Sequence, residues 1–278
     1  MSEILRDVSA PALVAAIEAN QFELFSWFGR WPRAELHDEP EMLWSITDLA
    51  APIFNSLLRA RIAPGRVDAV VEEAIARGRA RKVPLLWWVG PATQPADLGA
   101  RLLEHGFALN GDLPGMAIDL ATHDAEPPPA GLVIADVADS ATLRTWCDVL
   151  AGGFGMPGFA GDAFFEFFSS LGFETPALRN YIGWLDGKAV ATSTLFLAAG
   201  VAGIYDVATI GDVRRRGIGA AMTSRGLDDA RAMGYRSGIL QASTLGAGVY
   251  GKLGFREYCR IRNYTWASEA AGRANHAP

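Results

Sequence analysis

Cysteine, histidine and net positive charge are all scarce in this sequence. Its 278 residues include 2 Cys, Cys147 and Cys259, which are too few for a disulfide framework or for a zinc site by themselves. Lys and Arg number 25 against 31 Asp and Glu, giving a formal net charge of -6, whereas a nucleic-acid-binding protein usually shows a basic excess. We therefore expect no metal and no nucleic-acid partner, and this cysteine usage suits the reducing cytoplasm.

The sequence also lacks a long apolar run. The longest segment without a charged residue lies between Lys188 and Asp206, contains several hydroxyl residues, and falls short of the roughly 18 apolar residues that cross a membrane. The first residues carry charges of both signs and lack the apolar core of a signal peptide. We expect no membrane partner and a cytoplasmic location, and we interpret the uncharged segment as two strands around a tight turn at 198–203.

The composition is that of a folded chain with two domains. Half of the residues are hydrophobic and 20% are charged, which excludes intrinsic disorder. Three consecutive prolines within Thr122–Gly131 break the chain, because proline fits neither a helix interior nor a central strand. The predicted organisation is a first domain at 1–122, a linker at 123–130, a second domain at 131–267 and a short tail at 268–278.

The two halves end in a similar order of elements. In the first half, a strand at 83–89, a helix at 95–105, the pair Gly106-Phe107 and a final strand at 116–120 follow one another. In the second half, the same order of strand, helix, Gly-Phe and strand runs from 237 to 266. This repetition indicates a duplication, although a helix that ends at glycine before a strand is common in unrelated α/β proteins.

The second half is predicted to have an α/β fold with a mixed sheet. An Asp-Gly pair between two apolar runs predicts a hairpin, and Gly234 predicts the end of a long helix. Antiparallel strands followed by a strand-loop-helix-strand unit predict both kinds of strand pairing in one sheet. The predicted strands lie at 132–135, 180–185, 189–197, 201–210, 237–242 and 258–266, and the predicted helices at 139–152, 160–171, 217–233 and 247–253.

The segment 207–222 carries the strongest chemical signal. A β-rich run leads into three adjacent arginines and then into two glycines that open a helix. The first turn of a helix has unpaired main-chain N–H groups and the positive end of the helix dipole, and glycine lets a phosphate approach them closely. This arrangement predicts a phosphate or pyrophosphate site, and the alternative is a tight strand-to-helix turn with solvated arginines. The residues concerned are Arg214, Arg215, Arg216, Gly217, Ile218 and Gly219.

Several segments around this loop resemble the GNAT family, the Gcn5-related N-acetyltransferases. The pattern Arg214-x-x-Gly217-x-Gly219 is similar to the acyl-CoA pyrophosphate loop of that family. The preceding strand at 205–209, the strand at 240–243 and the Tyr250 helix with its Leu-Gly-Phe ending follow in the family's order and spacing. The resemblance covers about residues 131–267 and implies the acyl-CoA N-acyltransferase fold, here as two GNAT-like domains in tandem.

The resemblance also implies roles for single residues. Main-chain groups of Val207, Ala208 and Thr209 would bind the pantetheine arm and the acyl carbonyl of acetyl-CoA, which is the acyl-donor substrate. Arg214 through Gly219 would hold the pyrophosphate. Ser243 would contact pantetheine at a position where many members have Asn, and Tyr250 would lie near the thioester sulfur.

Acyl transfer to an amine requires a base, donors for an oxyanion and an acid for the departing thiolate. We expect Tyr250 to protonate the sulfur, with a half-buried packing tyrosine as the alternative. Asp206 is the best acidic candidate for the base, and a structural carboxylate is the alternative; a base acting through water, or an amine that arrives neutral, stays open. Strand alternation would put Tyr205 and Val207 on one face and Asp206 and Ala208 on the other.

The first half lacks the corresponding loop. Residues 63–71 contain no Arg-x-x-Gly-x-Gly pattern, and Asp68 places negative charge where a phosphate would need the opposite sign. We interpret this half as a degenerate copy that does not bind CoA, with its tryptophans mostly in the core. The alternative is that some of them line an acceptor pocket between the domains. The phenylalanine-rich stretch at 154–173 fits either an acceptor-site lid or an ordinary apolar helix face.

The sequence therefore favours an acetyl-CoA-dependent N-acetyltransferase that acts by direct attack of an amine from an unidentified small acceptor molecule. A non-catalytic acyl-CoA-binding sensor or regulatory module is the rival from another class. A phosphate-binding α/β protein unrelated to CoA is weaker, because the loop lacks the P-loop ending and the third glycine of a dinucleotide fingerprint. The acceptor and the oligomeric state stay open.

Overall fold

The computed structural model describes residues 3–267, so the tail predicted at 268–278 lies outside the described residues. Helices and strands are interspersed along the chain. The helices are α1 (Ala10–Ser26), α2 (Val67–Arg81), α3 (Leu98–Glu104), α4 (Ser140–Phe154), α5 (Gly158–Leu171), α6 (Ile218–Ala232) and α7 (Ala247–Lys252). The strands are β1 (Glu35–Asp38), β2 (Leu43–Ile46), β3 (Ser56–Leu58), β4 (Leu85–Val89), β5 (Ala108–Asp119), β6 (Leu132–Asp136), β7 (Leu178–Leu185), β8 (Lys188–Ala198), β9 (Val201–Thr209), β10 (Ser237–Gln241) and β11 (Arg256–Trp266).

The chain forms two compact units that do not follow a linear cut at the proline segment. The larger unit contains the residues up to Gln21 together with Pro114–Tyr258, and the smaller contains Phe22–Leu113 with the residues from Cys259 onward. The two halves exchange their last strands: β5 pairs with β10, and β11 pairs with β4. Each exchanged strand forms main-chain hydrogen bonds with its new neighbour, whose N–H and C=O groups would otherwise be unpaired. The sequence pattern of either half alone does not predict this exchange.

In the larger unit the strands lie in the order β5-β10-β9-β8-β7-β6. All neighbours are antiparallel except β10 and β9, which are parallel, so the mixed sheet predicted from sequence is confirmed. Helix α4 covers one face, where Gly153 abuts Ala208, and α6 covers the other, where Gly219 faces Val207. The core of this unit includes Leu195, Ile204, Met222, Leu227 and Leu240, all almost completely buried.

The first residues of the chain belong to the larger unit. The Leu5 main-chain N–H donates to the Gly200 carbonyl at 2.9 Å. Asn20, at 0% exposure, donates from its side-chain amide to the Ala198 carbonyl at 2.9 Å and accepts from the Tyr205 hydroxyl at 2.7 Å. These bonds tie α1 to the β8–β9 hairpin, an arrangement that no local sequence signal indicates.

The proline segment also belongs to the larger unit. The Arg231 guanidinium, in the last turn of α6, donates to the His123 carbonyl at 2.8 Å. Near the first turn of α6, a methyl group placed on Gly217 would lie 3.6 Å from the Pro129 ring. The segment therefore touches α6 close to both of its ends instead of hanging free between the two halves.

Strand β5 is longer than the sequence predicted. We expected a turn-rich segment followed by a strand at 116–120, but the strand begins at Ala108 and includes Gly111 and Pro114. Pro114 has no N–H to donate, yet its carbonyl accepts the Ala242 N–H at 2.9 Å, so its missing donor does not interrupt the pairing.

The smaller unit has the strand order β1-β2-β3-β4-β11, with α2 and α3 packed beside it. Trp31, Trp44 and Trp87 are buried, so the expectation that the tryptophans mostly serve the core is confirmed for these three. In the first turn of α2, Asp68 pairs with Arg101 and His105. A carboxylate therefore occupies the place where a phosphate site would need positive charge. No helix within residues 3–267 is long and apolar enough to span a membrane.

Candidate active site

The sheet opens between β9 and β10. The parallel register between these strands covers only Ala202 and Gly203 of β9, which face Gly238 and Ile239 of β10. Strand β9 continues to Thr209, so the main chain at 205–209 has no β10 partner along that edge. Unpaired main-chain N–H and C=O groups are costly unless another partner binds them, and this edge can accept an extended ligand with amide groups.

The loop after β9 brings main-chain donors and positive charge together. Gly217 has φ 78°, a left-handed conformation that suits glycine, and it leads into α6 without any side chain that caps the helix. Arg215 is also left-handed, with φ 62°, which curls the loop as in the main-chain nests that bind anions. Within residues 3–267, neither Arg215 nor Arg216 forms an ion pair, and both are exposed. This arrangement of main-chain donors and exposed guanidinium groups is able to bind an anion.

The first turn of α6 is not crowded by the end of β9. A methyl group placed on Gly219 would lie 3.9 Å from the Thr209 hydroxyl oxygen and 4.0 Å from the Val207 side chain, so the end of β9 and the first turn of α6 face each other without collision. Ile218 is 2% exposed and points into the core, so only its main-chain N–H is available to a ligand. The free N–H groups of this turn carry the positive end of the helix dipole.

Arg214 differs from its two neighbours. Its Nε donates to the Thr209 carbonyl at 2.9 Å and its Nη2 donates to the Gly153 carbonyl at 2.6 Å. The guanidinium thus joins the pyrophosphate-type loop to the C-terminal end of α4. Two of its five N–H donors already serve main-chain carbonyls, while the others stay available to an anion.

A β-bulge at Asp206 breaks the alternation that the sequence predicted. Opposite Ser193 the register between β8 and β9 shifts, and Asp206 takes φ 53°. Ile204 and Val207 both contact α6, at Gly226 and Gly219, so Tyr205 and Val207 lie on opposite faces. The expectation that these two residues share a face was therefore wrong. The extra residue of the bulge reverses the side of the sheet to which each later side chain of β9 points.

Asp206 lies on the α4 face within a set of hydroxyl and amide groups. The Thr194 hydroxyl is 2.9 Å from Oδ2 of Asp206, and the Thr192 hydroxyl donates to the Asp206 carbonyl at 2.7 Å. Burial raises the pKa of the Asp206 carboxyl from 3.8 to about 6, and the Thr194 hydrogen bond lowers it in part. A carboxylate with a raised pKa, beside the open edge of β9, has the properties of a general base.

Tyr250 lies inside the larger unit. It is 9% exposed, its ring packs at 65° against the Phe255 ring with centroids 5.8 Å apart, and its hydroxyl interacts with Thr223 on α6. Burial raises the pKa of Tyr250 to about 12, so the phenol keeps its proton at neutral pH. Ser243 is exposed, and its Oγ accepts the Gly246 N–H at 3.2 Å. Both side chains flank Gly246, so the structure brings Tyr250 and Ser243 together.

Three polar residues near Asp206 were not predicted from the sequence. Thr194 and Asn180 form a hydrogen bond of 2.7 Å on neighbouring strands, and Asn20 anchors the adjacent Tyr205. One signal was available: Thr192, Ser193 and Thr194 are consecutive hydroxyl residues in an otherwise apolar strand, and all three are buried. Buried hydroxyl groups need partners, so such a run marks a polar network. Asn20 has no comparable signal.

The phenylalanine-rich stretch serves mainly as an apolar face. Phe164, Phe167 and Phe168 of α5 are buried, and the Phe168 ring packs edge-on against Trp146 of α4 at 4.9 Å. Phe154, which ends α4, and Phe173, beyond α5, are exposed by 50% and 44%. The helix face is therefore core, and the lid role of the flanking residues stays a prediction.

Comparisons with known proteins agree with this geometry. The profile of the "Acetyltransferase (GNAT) family" matches residues 150–255. No curated protein matches the chain. The larger unit contains the open strand pair, the arginine loop and the Tyr250 helix within the matched range.

Solved structures match over most of the chain. A GCN5-related N-acetyltransferase from Kribbella flavida is similar with a TM-score of 0.69 and 19% identity, covering 90% of this chain and 95% of that one. Another from Sphaerobacter thermophilus has a TM-score of 0.63 and 18% identity, covering 96% and 95%. A tandem GNAT protein from the clavulanic acid biosynthesis pathway has a TM-score of 0.58 and 14% identity, covering 96% and 97%.

The matched fold therefore extends over both halves, while the family profile falls on the half that carries the arginine loop. Residues 150–255 are thus similar to the GNAT acetyltransferase family, and the fold of the chain is that of two GNAT-like domains in tandem.

Proposed function

We propose that the protein is an acetyl-CoA-dependent N-acetyltransferase that moves an acetyl group to the amine of a small acceptor molecule. One observation carries the proposal: the uncapped N-terminus of α6, with exposed Arg215 and Arg216, lies beside the open main-chain edge of β9. A pyrophosphate suits the first feature and the amides of a pantetheine arm suit the second, and acetyl-CoA carries both groups in one molecule.

Each part of the donor has a place in this proposal. The main chain of Val207, Ala208 and Thr209 binds the pantetheine arm, and the N–H groups of 214–219 hold the pyrophosphate. Arg215 and Arg216 add charge at that end, since both are exposed and neither is in an ion pair within residues 3–267. Ser243 contributes its hydroxyl near the pantetheine. The second half alone takes the cofactor, because Asp68 and its partners occupy the corresponding position in the first half.

The reaction is direct attack of the acceptor amine on the thioester carbonyl. A carbon–nitrogen bond forms, the oxygen of the tetrahedral intermediate accepts a hydrogen bond from the main-chain N–H at 207, and the carbon–sulfur bond then breaks. Removing one such oxyanion donor typically costs about 3 to 4 kcal/mol of transition-state stabilisation. Asp206 takes the proton that the amine loses, and its raised pKa makes it a stronger base than an exposed aspartate.

Tyr250 serves the departing sulfur. With its pKa raised to about 12, the phenol is protonated at the pH at which the enzyme works and donates a hydrogen bond to the developing thiolate. Full transfer to a thiolate whose conjugate acid has a pKa of about 8.5 is uphill in this environment. The hydrogen bond therefore contributes most while the carbon–sulfur bond is breaking.

The test uses acetyl-CoA labelled in its acetyl group with a panel of small primary amines. We expect labelled amide from at least one amine, and loss of transfer in Gly219→Glu, whose carboxylate would occupy the phosphate position. Binding of acetyl-CoA without transfer to any amine would favour the sensor function. ATP or NAD binding without preference for CoA would refute the CoA assignment itself.

A further inference from the structure

A chain of polar side chains crosses three strands of the larger unit beneath α4. Asn180 of β7, Thr194 of β8 and Asp206 of β9 lie side by side on one sheet face, and Asn180 and Thr194 are direct partners in the strand register. The Thr194 hydroxyl is 2.7 Å from Oδ1 of Asn180 and 2.9 Å from Oδ2 of Asp206. Asn180 and Thr194 are 9% and 1% exposed, so their polar groups depend on one another for partners.

The hydrogens in this chain must be shared. A threonine hydroxyl has one hydrogen, so it can donate to Asn180 or to Asp206 but not to both. When Asp206 is protonated, its carboxyl donates to Thr194 and Thr194 donates to Oδ1 of Asn180, and all three groups are satisfied. When Asp206 is ionised, Thr194 donates to the carboxylate, and Asn180 must present its Nδ2 to the hydroxyl instead of its Oδ1.

Asn180 borders open space. It is among the residues that line an open cavity of about 1000 Å³ beside α4, α5 and the start of β7. The amide oxygen and nitrogen of asparagine have almost the same shape, so a half-turn of the amide preserves the packing. The network thus fits both protonation states of the carboxyl.

We propose that Thr194 and Asn180 are positioning residues for Asp206: the Thr194 hydroxyl fixes the carboxyl on the α4 face, and the Asn180 amide turns over as Asp206 gains and loses a proton. The inference rests on the proposed function in one respect, the role of Asp206 as base. It adds a reason why Asp206 can hold the proton of the amine during the reaction without leaving a buried group unpaired.

The titratable neighbours of Asp206 stay neutral, so the protonation of Asp206 depends on its hydrogen bond to Thr194. Within residues 3–267, Asp206 interacts electrostatically with the Cys147 thiol of α4 and with the phenol of its neighbour Tyr205. Burial raises the pKa of Cys147 to about 12 and raises the pKa of Tyr205 as well, so both are neutral between pH 5 and 8. Hydrogen bonding by Thr194 is therefore the contribution that favours the ionised form of Asp206.

The test follows the Asp206 carboxyl carbon by NMR in full-length protein labelled with ¹³C at aspartate Cγ, with Asp206→Asn used to assign the signal. No acceptor amine or acetyl-CoA is needed, so the result does not depend on whether the protein transfers acetyl groups. We expect Thr194→Val to raise the midpoint of titration by about 0.5 to 1 pH unit, the equivalent of one lost hydrogen bond. Thr194→Ser, which keeps the hydroxyl, should restore the wild-type midpoint.

Thr192→Val is the matched control, because the Thr192 hydroxyl donates to the main-chain carbonyl of Asp206 and not to its carboxyl. An unchanged midpoint in Thr194→Val, or an equal shift in Thr192→Val, would overturn the proposal. Should Thr194→Val not fold, Asn180→Asp decides the question. That variant places a second carboxyl in the chain, so the two should share a proton and the upper midpoint should rise by more than about 1 unit. A wild-type titration in Asn180→Asp would refute the network.

Discussion

The Arg214 guanidinium donates to the Gly153 carbonyl at 2.6 Å, across the 61 residues that separate them in sequence. Gly153 lies in the last turn of α4, where a methyl group on its Cα would be only 2.8 Å from the Ala208 side chain. The same guanidinium donates to the Thr209 carbonyl. Arg214 therefore joins three segments, the end of α4, the end of β9 and the loop that leads into α6, on the side of the sheet where Asp206 lies.

Replacement of Arg214 should separate this structural role from phosphate binding. We expect Arg214→Ala to increase hydrogen–deuterium exchange at 150–158 and to lower the free energy of unfolding by about 1 to 3 kcal/mol, because two main-chain carbonyls lose a charged donor. Arg216→Ala is the matched control, since Arg216 is exposed and not in an ion pair within the described residues. It should weaken CoA binding, most strongly at low salt, and leave exchange at 150–158 unchanged. The reverse pattern would contradict the distinction between the two arginines.

Glutamate at the start of α6 should abolish CoA binding. Gly219 is the better position for this change, because Gly217 has φ 78° and any side chain there is strained as well. We expect Gly219→Glu to reduce CoA affinity more than about 100-fold by calorimetry, since its carboxylate would sit among the N–H groups that the pyrophosphate needs. Gly219→Ala has room in the structure and should bind within a few-fold of wild type. Wild-type affinity in Gly219→Glu would place the nucleotide elsewhere.

Removal of the Tyr250 hydroxyl should lower turnover more than donor binding. Tyr250→Phe keeps the ring that packs on Phe255, so the fold and the CoA affinity should persist. The turnover number should fall about 10- to 100-fold, which is the usual contribution of a positioned acid or donor. The measurement is kcat and KM for acetyl-CoA under conditions where chemistry limits the rate. If Thr223→Val gives the same loss although Tyr250 is intact, the role of the phenol is structural.

Substitution of Asp206 should stabilise the fold and inactivate the enzyme. Burial raises the pKa of Asp206 from 3.8 to about 6, so the folded state binds this proton more tightly than the unfolded state does. The contribution of Asp206 to the free energy of unfolding is therefore most favourable below about pH 4, decreases as the pH rises toward 6, and stays low above 6.

Asp206→Asn does not titrate, so its advantage over the wild type should be about 2 kcal/mol larger at pH 7.5 than at pH 4.5. Urea unfolding at the two pH values measures this difference. Equal stability of the two proteins at both pH values would mean that the carboxylate is solvated. The wild-type rate should also fall with the protonation of Asp206 as the pH drops below about 6.

Loss of the Asn20 amide should destabilise the larger unit. The Asn20 side chain is fully buried, donates to main-chain carbonyls of β8 and accepts the Tyr205 hydroxyl. We expect Asn20→Ala to lower the free energy of unfolding by about 2 to 4 kcal/mol, because several buried groups lose their partner together. Tyr205→Phe removes one of these bonds and should cost less. Chemical denaturation of both variants gives the comparison, and a loss in Tyr205→Phe as large as in Asn20→Ala would contradict this account.

Local patterns in the sequence determined the elements of the second half and the position of the phosphate-type loop. Three local signals act through adjacent residues, so their effect can be predicted from a short stretch of sequence. They are the Asp186-Gly187 turn, the glycines at the start of α6 and Gly234 after its end. The order and spacing of these segments were sufficient to predict the resemblance to the GNAT family, and the charge of Asp68 argued against the same loop in the first half.

Only the tertiary structure decided the features that depend on contacts between distant segments. The exchange of β5 and β11, the docking of Asn20 on the β8–β9 hairpin and the bond from Arg214 to Gly153 each join residues that are far apart in sequence. The bulge at Asp206 also depends on a contact between segments that are separate in sequence. Its extra residue is stabilised by hydroxyl groups of β8, so the face on which Asp206 lies follows from strand pairing and not from the period of its own strand.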